Sequence, residues 1–312
     1  MALVIAYILD LLIGDPHGYP HPVRLIGKLI ETIEKFLRPK CRNHKDERIA
    51  GALMWLMVVT LSFLLPLLIL LAASKISFIF AFVLECIMSY YILAVKSLKD
   101  ESMKVFYALE NNNIDEAKHY LSFIVGRDVE NLNPPQIGKA AIETVAENTA
   151  DGVIAPMIFT MIGGAPLGFL YKAINTLDSM VGYKNEKFIN MGKFSAIADD
   201  IANYIPSRIA AWLMILSSFI LKMDYKNAYR IFRRDRYNHK SPNSAQTESV
   251  CAGALNIMLG GNSYYGKALV EKPSIGDNIK AVQAEDIKRA NKLMYVTSLL
   301  CLTFGTALKI LL

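Results

Sequence analysis

Four cysteines (Cys41, Cys86, Cys251, Cys301) lie far apart and form no C-x-x-C pair. That excludes a zinc ribbon and a disulfide framework, and it suits a reducing compartment. The five histidines are scattered, so no zinc set is legible. No alternating apolar–polar stretch of useful strand length occurs, so the architecture is expected to be mostly α. No Lys/Arg run is interleaved with aromatics as in a nucleic-acid groove, and no nucleic-acid partner is expected. The N-terminus has no basic region before its apolar run, and Asp10 interrupts that run, which argues against a cleaved signal peptide.

What is present is grease. Of 312 residues, 53% are hydrophobic, and the mean hydropathy is +0.30. Soluble domains hold about 45–50% apolar residues, so the excess suggests membrane insertion. Residues 51–73 carry no charge over 23 positions, long enough to cross a hydrocarbon core of about 30 Å. Residues 76–95 are nearly as apolar, with Glu85 the one exception, and Ser74-Lys75 marks the turn of a transmembrane hairpin over 51–95. Residues 1–14, 207–221 and 293–312 are further candidates. Residues 152–171 are hydrophobic but interrupted by Pro156, Gly163-Gly164, Pro166 and Gly168, and read as a broken or re-entrant element.

The net charge is +6. Residues 24–48 carry eight Lys/Arg and residues 222–240 carry seven. Both stretches should be cytoplasmic. Residues 97–150 read as a cytoplasmic helical insertion. Asn111-Asn112-Asn113 is a turn, and Pro134-Pro135 opens a further helix. The whole chain, 1–312, reads as one membrane-embedded domain: a multi-pass α-helical integral membrane protein with cytoplasmic helical segments.

Against this background the polar clusters stand out, because carboxylates beside apolar segments are costly to desolvate. Glu143, Glu147 and Asp151 recur at i, i+4, i+8 and share a helical stripe, with Asn148 alongside. The bland reading is a solvated face. Asp199-Asp200, with Asn203 and Arg208 following, suits Mg²⁺, which is usually held by one or two carboxylates plus substrate phosphates. Asp178 has Asn175 three residues earlier on the same face. Each alone could be a helix cap. Asp15, His21 and Arg24 sit in a proline-rich loop after the first apolar segment, where His21 and Arg24 could hold a phosphate or carboxylate. Residues 261–268 nearly match the phosphate loop G-x-x-x-x-G-K-[ST], but Ala268 replaces the hydroxyl, and a helix over Ala245–Leu259 precedes it rather than a strand. That helix presents Ala245, Ser249, Ala252, Gly253 and Asn256, suited to close packing.

Five ordered motifs carry a family resemblance: GDPHGYPHPVRLIG (14–27), ENTADGVIAP (147–156), NTLDSMVGYKNEKF (175–188), ADDIANYIPSRI (198–209) and SPNSAQTESVCAGALNIMLGGNSYYG (241–266). The chain resembles the cobinamide-phosphate synthase family of cobalamin biosynthesis (CobD/CbiB) over nearly its whole length. An Arg is expected near Ile197-Ala198 and is missing.

The resemblance implies a multi-pass cell-membrane ligase with its polar motifs facing the cytoplasm. It would join adenosylcobyric acid to aminopropanol or its O-phosphate as an amide, consuming ATP with Mg²⁺. Asp178, Asp199 and Asp200 would hold the metal and Glu147 would be the base. Arg24, Lys184 and Arg208 would bind phosphate or corrinoid carboxamides. Asp15, His21, Glu143, Asn148, Asp151, Asn175, Asn203, Asn243, Gly260 and Gly261 would complete the substrate-binding set. A complex with other late cobalamin-pathway membrane enzymes is compatible with this. The alternatives are a membrane transporter, which broken helices suggest, and a non-catalytic scaffold for corrinoid intermediates.

Overall fold

The computed structural model describes residues 1–15, 21–183, 185–265, 268–270 and 273–311. In chain order its helices are α1 (Ala2–Ile13), α2 (Pro22–Leu37), α3 (His44–Ile76), α4 (Phe78–Tyr90), α5 (Val95–Glu110), α6 (Ile114–Ser122) and α7 (Pro134–Asn148). A π-helical stretch (Thr149–Ile154) leads into α8 (Ala155–Val181), then α9 (Lys193–Ala202), α10 (Tyr204–Ile220), α11 (Tyr225–Asp235) and α12 (Ser244–Leu255). Four short strands, β1 (Leu259–Gly260), β2 (Ser263–Tyr265), β3 (Ala268–Val270) and β4 (Ser274–Ile275), precede α13 (Glu285–Leu311). β1 pairs antiparallel with β4, and β2 with β3.

The protein is a mostly α-helical membrane protein. Among the described residues, four helical segments are long and apolar enough to cross a bilayer: His44–Ile76, Phe78–Glu110, Pro134–Val181 and Glu285–Leu311. α1 and α10 are apolar but shorter. Two compact units divide the chain. One comprises Met1–Ala94 and Ala155–Asn203, the other Val95–Ile154 and Tyr204–Leu312.

In the first unit, the core follows helical spacing. Ile26, Ile30 and Ile33 of α2 pack with Ala50, Met54 and Val58 of α3 and with Ala165, Phe169, Ala173, Leu177 and Val181 of α8. The hairpin turns at Ser77, not at Ser74-Lys75. α3 runs on to Ile76, and the single extended residue Ser77 ends it and caps α4 by accepting from the Ile79 N–H.

α8 is broken, as its glycines and prolines imply. Gly163 and Gly164 leave helical geometry, Gly164 at φ 67°. The second half-helix starts at Ala165-Pro166, where the missing proline N–H leaves no orphan donor. The Ala165 N–H that remains donates to the Glu85 carboxylate at 2.7 Å. A Cβ on residue 164 would lie 2.6 Å from that oxygen. The one acid in the apolar hairpin therefore caps a helix interrupted 80 residues further on.

In the second unit, Asn133 and Gln136 form a capping box that starts α7. α12 is buried along its whole length. Its small residues allow this: a Cβ on Gly253 would meet Ala228 Cα and Asn227 O of α11 at 2.6 Å. α12 ends earlier than its sequence suggests. Asn256, at φ 59° and ψ 39°, is a left-handed C-cap after Leu255. Leu259-Gly260 is strand, so the near-miss phosphate loop does follow a strand, though one of only two residues. Polar pairs tie the long helices together within the unit: Thr297 donates to Ser217 at 3.0 Å, and Asn291 donates to Ser102 at 2.9 Å.

Candidate functional site

Each unit carries its own polar constellation. In the first, α8 places Tyr171, Asn175 and Asp178 on one face by i, i+4, i+7 spacing. The Tyr171 hydroxyl donates to Asn203 Oδ1 at 2.7 Å, and Asn203 Nδ2 donates to Asp199 Oδ2 at 3.0 Å. Asn175 Nδ2 reaches Asp199 Oδ1 at 3.4 Å, a weaker contact. Asp199 is 8% exposed. Burial, with the Asp178 charge adding to it, pushes the Asp199 carboxyl up to about 7, against the amides of Asn203 and Asn175. Asp200 contributes a smaller like-charge push.

The Asp178 charge raises Asp199, and a hard dication held between two such acids would remove that repulsion. Among the described residues no group of three or more His, Cys, Asp or Glu gathers in a metal-holding arrangement. Asp178, Asp199 and Asp200 do not form such a group, so a cation held there would need ligands from outside the protein.

The loop motif contributes less than its sequence suggests. His21 Nδ1 accepts from the Val23 N–H at 3.3 Å, capping α2, and its Nε2 lies 3.4 Å from Asp15 Oδ1. Arg24 is exposed, with no ion pair among the described residues. Pro16 to Pro20 and Lys184 lie outside the described residues, as do Gly266 and Lys267 of the near-miss loop.

Sequence reasoning missed Lys172. It is 8% exposed, and the charges nearest to it are Asp15 and Asp10, the latter 0% exposed. A buried ammonium thus lies in the field of the acid that interrupts α1 and of the acid of the loop motif. The available signals were Asp10 inside an apolar run and Lys172 three residues before Asn175.

In the second unit the α7 stripe is partly buried, not a solvated face. Glu143 accepts from Arg127 at 2.6 Å and from the Gly260 N–H at 2.7 Å. Glu147 accepts from the Ser244 hydroxyl at 2.8 Å. Asn148 donates back to Thr144 O at 3.0 Å, and Asp151 lies in the π-helical stretch. Arg208 is engaged locally. It donates to Tyr204 O at 2.6 Å, Asn243 Oδ1 at 3.1 Å and Pro242 O at 3.3 Å, and it stacks on the Tyr204 ring. It joins Asn243, at the start of α12, to α10. Gly260 and Gly261 both have positive φ, 70° and 83°.

Sequence comparison places the chain. Residues 3–294 match the family described as CobD/CbiB protein. The chain is 49% identical to cobalamin biosynthesis protein CobD of Clostridium perfringens over 298 residues, covering 96% of this chain and 94% of that one. It is 45% identical to CobD of Citrobacter koseri over 313 residues, covering 100% and 98%. It is 46% identical to cobalamin biosynthesis protein CbiB of Salmonella typhimurium over 303 residues, covering 97% and 95%. No solved structure matches it. This membrane protein belongs to the CobD/CbiB family.

Proposed function

We propose that the protein works in cobalamin biosynthesis as an amide-forming ligase, joining the carboxyl of adenosylcobyric acid to aminopropanol or its O-phosphate. The observation that carries this reading is the family match across residues 3–294, with relatives named for cobalamin biosynthesis. The polar constellations support it.

The chemistry sets the requirements. A carboxylate does not react with an amine near neutral pH unless activated. In the proposed sequence a carboxylate oxygen attacks the terminal phosphorus of ATP, giving an acyl phosphate and ADP. The amine nitrogen then attacks the carbonyl carbon, phosphate leaves, and the nitrogen loses a proton to a base. Magnesium supplies charge neutralisation on phosphate oxygens when bound, and Asp178 and Asp199, with Asp200 beside them, are the residues that would hold it. Glu147 is the proposed base. Its hydrogen bond from Ser244 fixes one oxygen and leaves the other to take the proton. We place the basic stretches 24–48 and 222–240 on the cytoplasmic side of the cell membrane, where ATP is available.

The break in α8 is the observation that favours a transporter, since discontinuous helices often hold transported substrates. Here Glu85 satisfies one freed backbone donor, which gives the break a structural reason. The test is mass spectrometry of products after the purified protein is given the corrinoid acid, ATP, Mg²⁺ and each amine in turn. Corrinoid amide formed with ATP consumption supports the ligase. Uptake of corrinoid into vesicles without turnover would replace it with the transporter.

A further inference from the structure

α7 carries a residue that the family motifs do not include. Lys139 stands one turn before Glu143 on the same stripe. Its side chain is half-buried beside Glu143 and Arg127, and its ammonium has no hydrogen-bond partner among the described residues. Among the described residues, a Cβ built on Gly261 would meet one atom within 4 Å, Lys139 Nζ at 3.7 Å. The glycine thus brings a bare backbone corner within reach of the ammonium.

The neighbouring charges have partners of their own, the buried Glu248 included. Arg127 is paired with Glu143 at 2.6 Å, and the second oxygen of Glu143 takes the Gly260 N–H. Among the described residues, the charged group at this corner without a hydrogen-bond or ion-pair partner is the Lys139 ammonium, which only the Glu143 charge offsets. An ammonium offers three donors and no acceptor, so its complement is an oxyanion. Beside it lies a cavity of about 20 Å³ lined by Arg127, Glu143, His239, Glu248, Gly260 and Gly261, with Pro273 and Ile275 closing one side. His239 Nδ1 accepts from the Ser241 N–H at 3.1 Å, so the neutral ring carries its hydrogen on Nε2. A cavity of this size holds about one water.

We infer that the Lys139–Gly261 corner is an oxyanion subsite, which takes a phosphate group in the proposed ligase reaction. The subsite rests on its own geometry; only the identity of the phosphate rests on the ligase reading. Two sources share this chemistry: the O-phosphate of the amino alcohol and a phosphate of the nucleotide.

The test has two arms, both on the full-length protein in detergent. The first needs no turnover: thermal unfolding with inorganic phosphate against chloride at matched ionic strength. Phosphate should raise the wild-type midpoint, Lys139→Gln should abolish the rise, and Lys139→Arg should keep most of it. An equal rise in Lys139→Gln, or none in the wild type, overturns the subsite. The second arm measures KM. Losing one charge-assisted hydrogen bond should raise KM about tenfold or more. A rise confined to the O-phosphate, with the free amino alcohol unchanged, assigns the substrate's phosphate. A rise confined to ATP assigns the nucleotide's. Unchanged KM values for all three overturn the inference while leaving the ligase reading intact. Failure of the wild type to make any amide removes the ligase reading and leaves the first arm to decide the subsite.

Discussion

The carboxylate of Glu85 accepts a hydrogen bond from the backbone N–H of Ala165 across 80 residues of sequence. The bond gives an acid in an apolar hairpin a structural purpose. It also supplies a partner for the first N–H group freed where α8 breaks at Gly163-Gly164. Glu85→Ala should therefore destabilise the protein by about 1–3 kcal/mol, the cost of a buried donor left unsatisfied. Glu85→Gln keeps an acceptor and should lose less. Denaturant or thermal unfolding in detergent checks the order. An alanine variant as stable as the wild type would show that water or lipid headgroups cap the half-helix instead.

A second expectation concerns the Asp178–Asp199 pair. Asp199→Asn can still accept from Asn203, so the fold should survive. If the pair holds Mg²⁺, amide formation should fall roughly a hundredfold or more, with partial recovery at high Mg²⁺. Turnover like the wild type's would remove Asp199 from the metal site.

Orientation can be checked by labelling. A cysteine at Lys45 or Arg233, with native cysteines removed, should resist an impermeant thiol reagent in intact cells. Both positions are exposed. Arg233 is the better choice in α11, because Arg234 is bonded to Asp235 and Asp277. Labelling at either site from outside would invert the topology.

A pH dependence follows from Asp277. Hydrogen bonds from Arg230 and Arg234 hold its carboxyl below the usual carboxylate range. A depressed folded value means the pair stabilises the fold above the unfolded value, near pH 4, and the contribution fades as pH drops through the lower folded value. The difference in melting temperature between wild type and Asp277→Asn should thus be present at pH 6 and shrink toward pH 3. A difference that stays constant would show that the pair contributes through packing alone.

The long apolar helices were legible because their signal is local. An uncharged run of 23 residues admits few alternatives, and Asn133-Pro134-Pro135 announces α7 through backbone constraints that any context preserves. The break in α8 was legible for the same reason, in its glycines and prolines. What could not be read was non-local. Nothing near Glu85 points to Ala165, and nothing near Asp10 points to Lys172. The turn at Ser77 was misplaced by two residues because Ser74-Lys75 carried the only polar pair there, while the chain reverses through one extended residue. β1 was invisible because Leu259-Gly260 becomes strand only by pairing with Ser274-Ile275. For the candidate site, the stripe of Glu143 and Glu147 followed from helical spacing. Their partners, Gly260 and Ser244, lie about 100 residues away, and no spacing rule reaches that far.

The division of the chain into two units bears on the order in which it can be built. The first unit needs residues 155–203 to be complete, and the second unit's first segment, 95–154, emerges from the ribosome before them. At 5–20 residues per second that segment occupies roughly 3–12 s of synthesis. Throughout that interval the first 94 residues wait without α8, the helix whose Ala165, Phe169, Ala173 and Leu177 fill their core. A single cut in the gene cannot release either unit whole, and the hairpin's Glu85 stays without its backbone partner until Ala165 has been made.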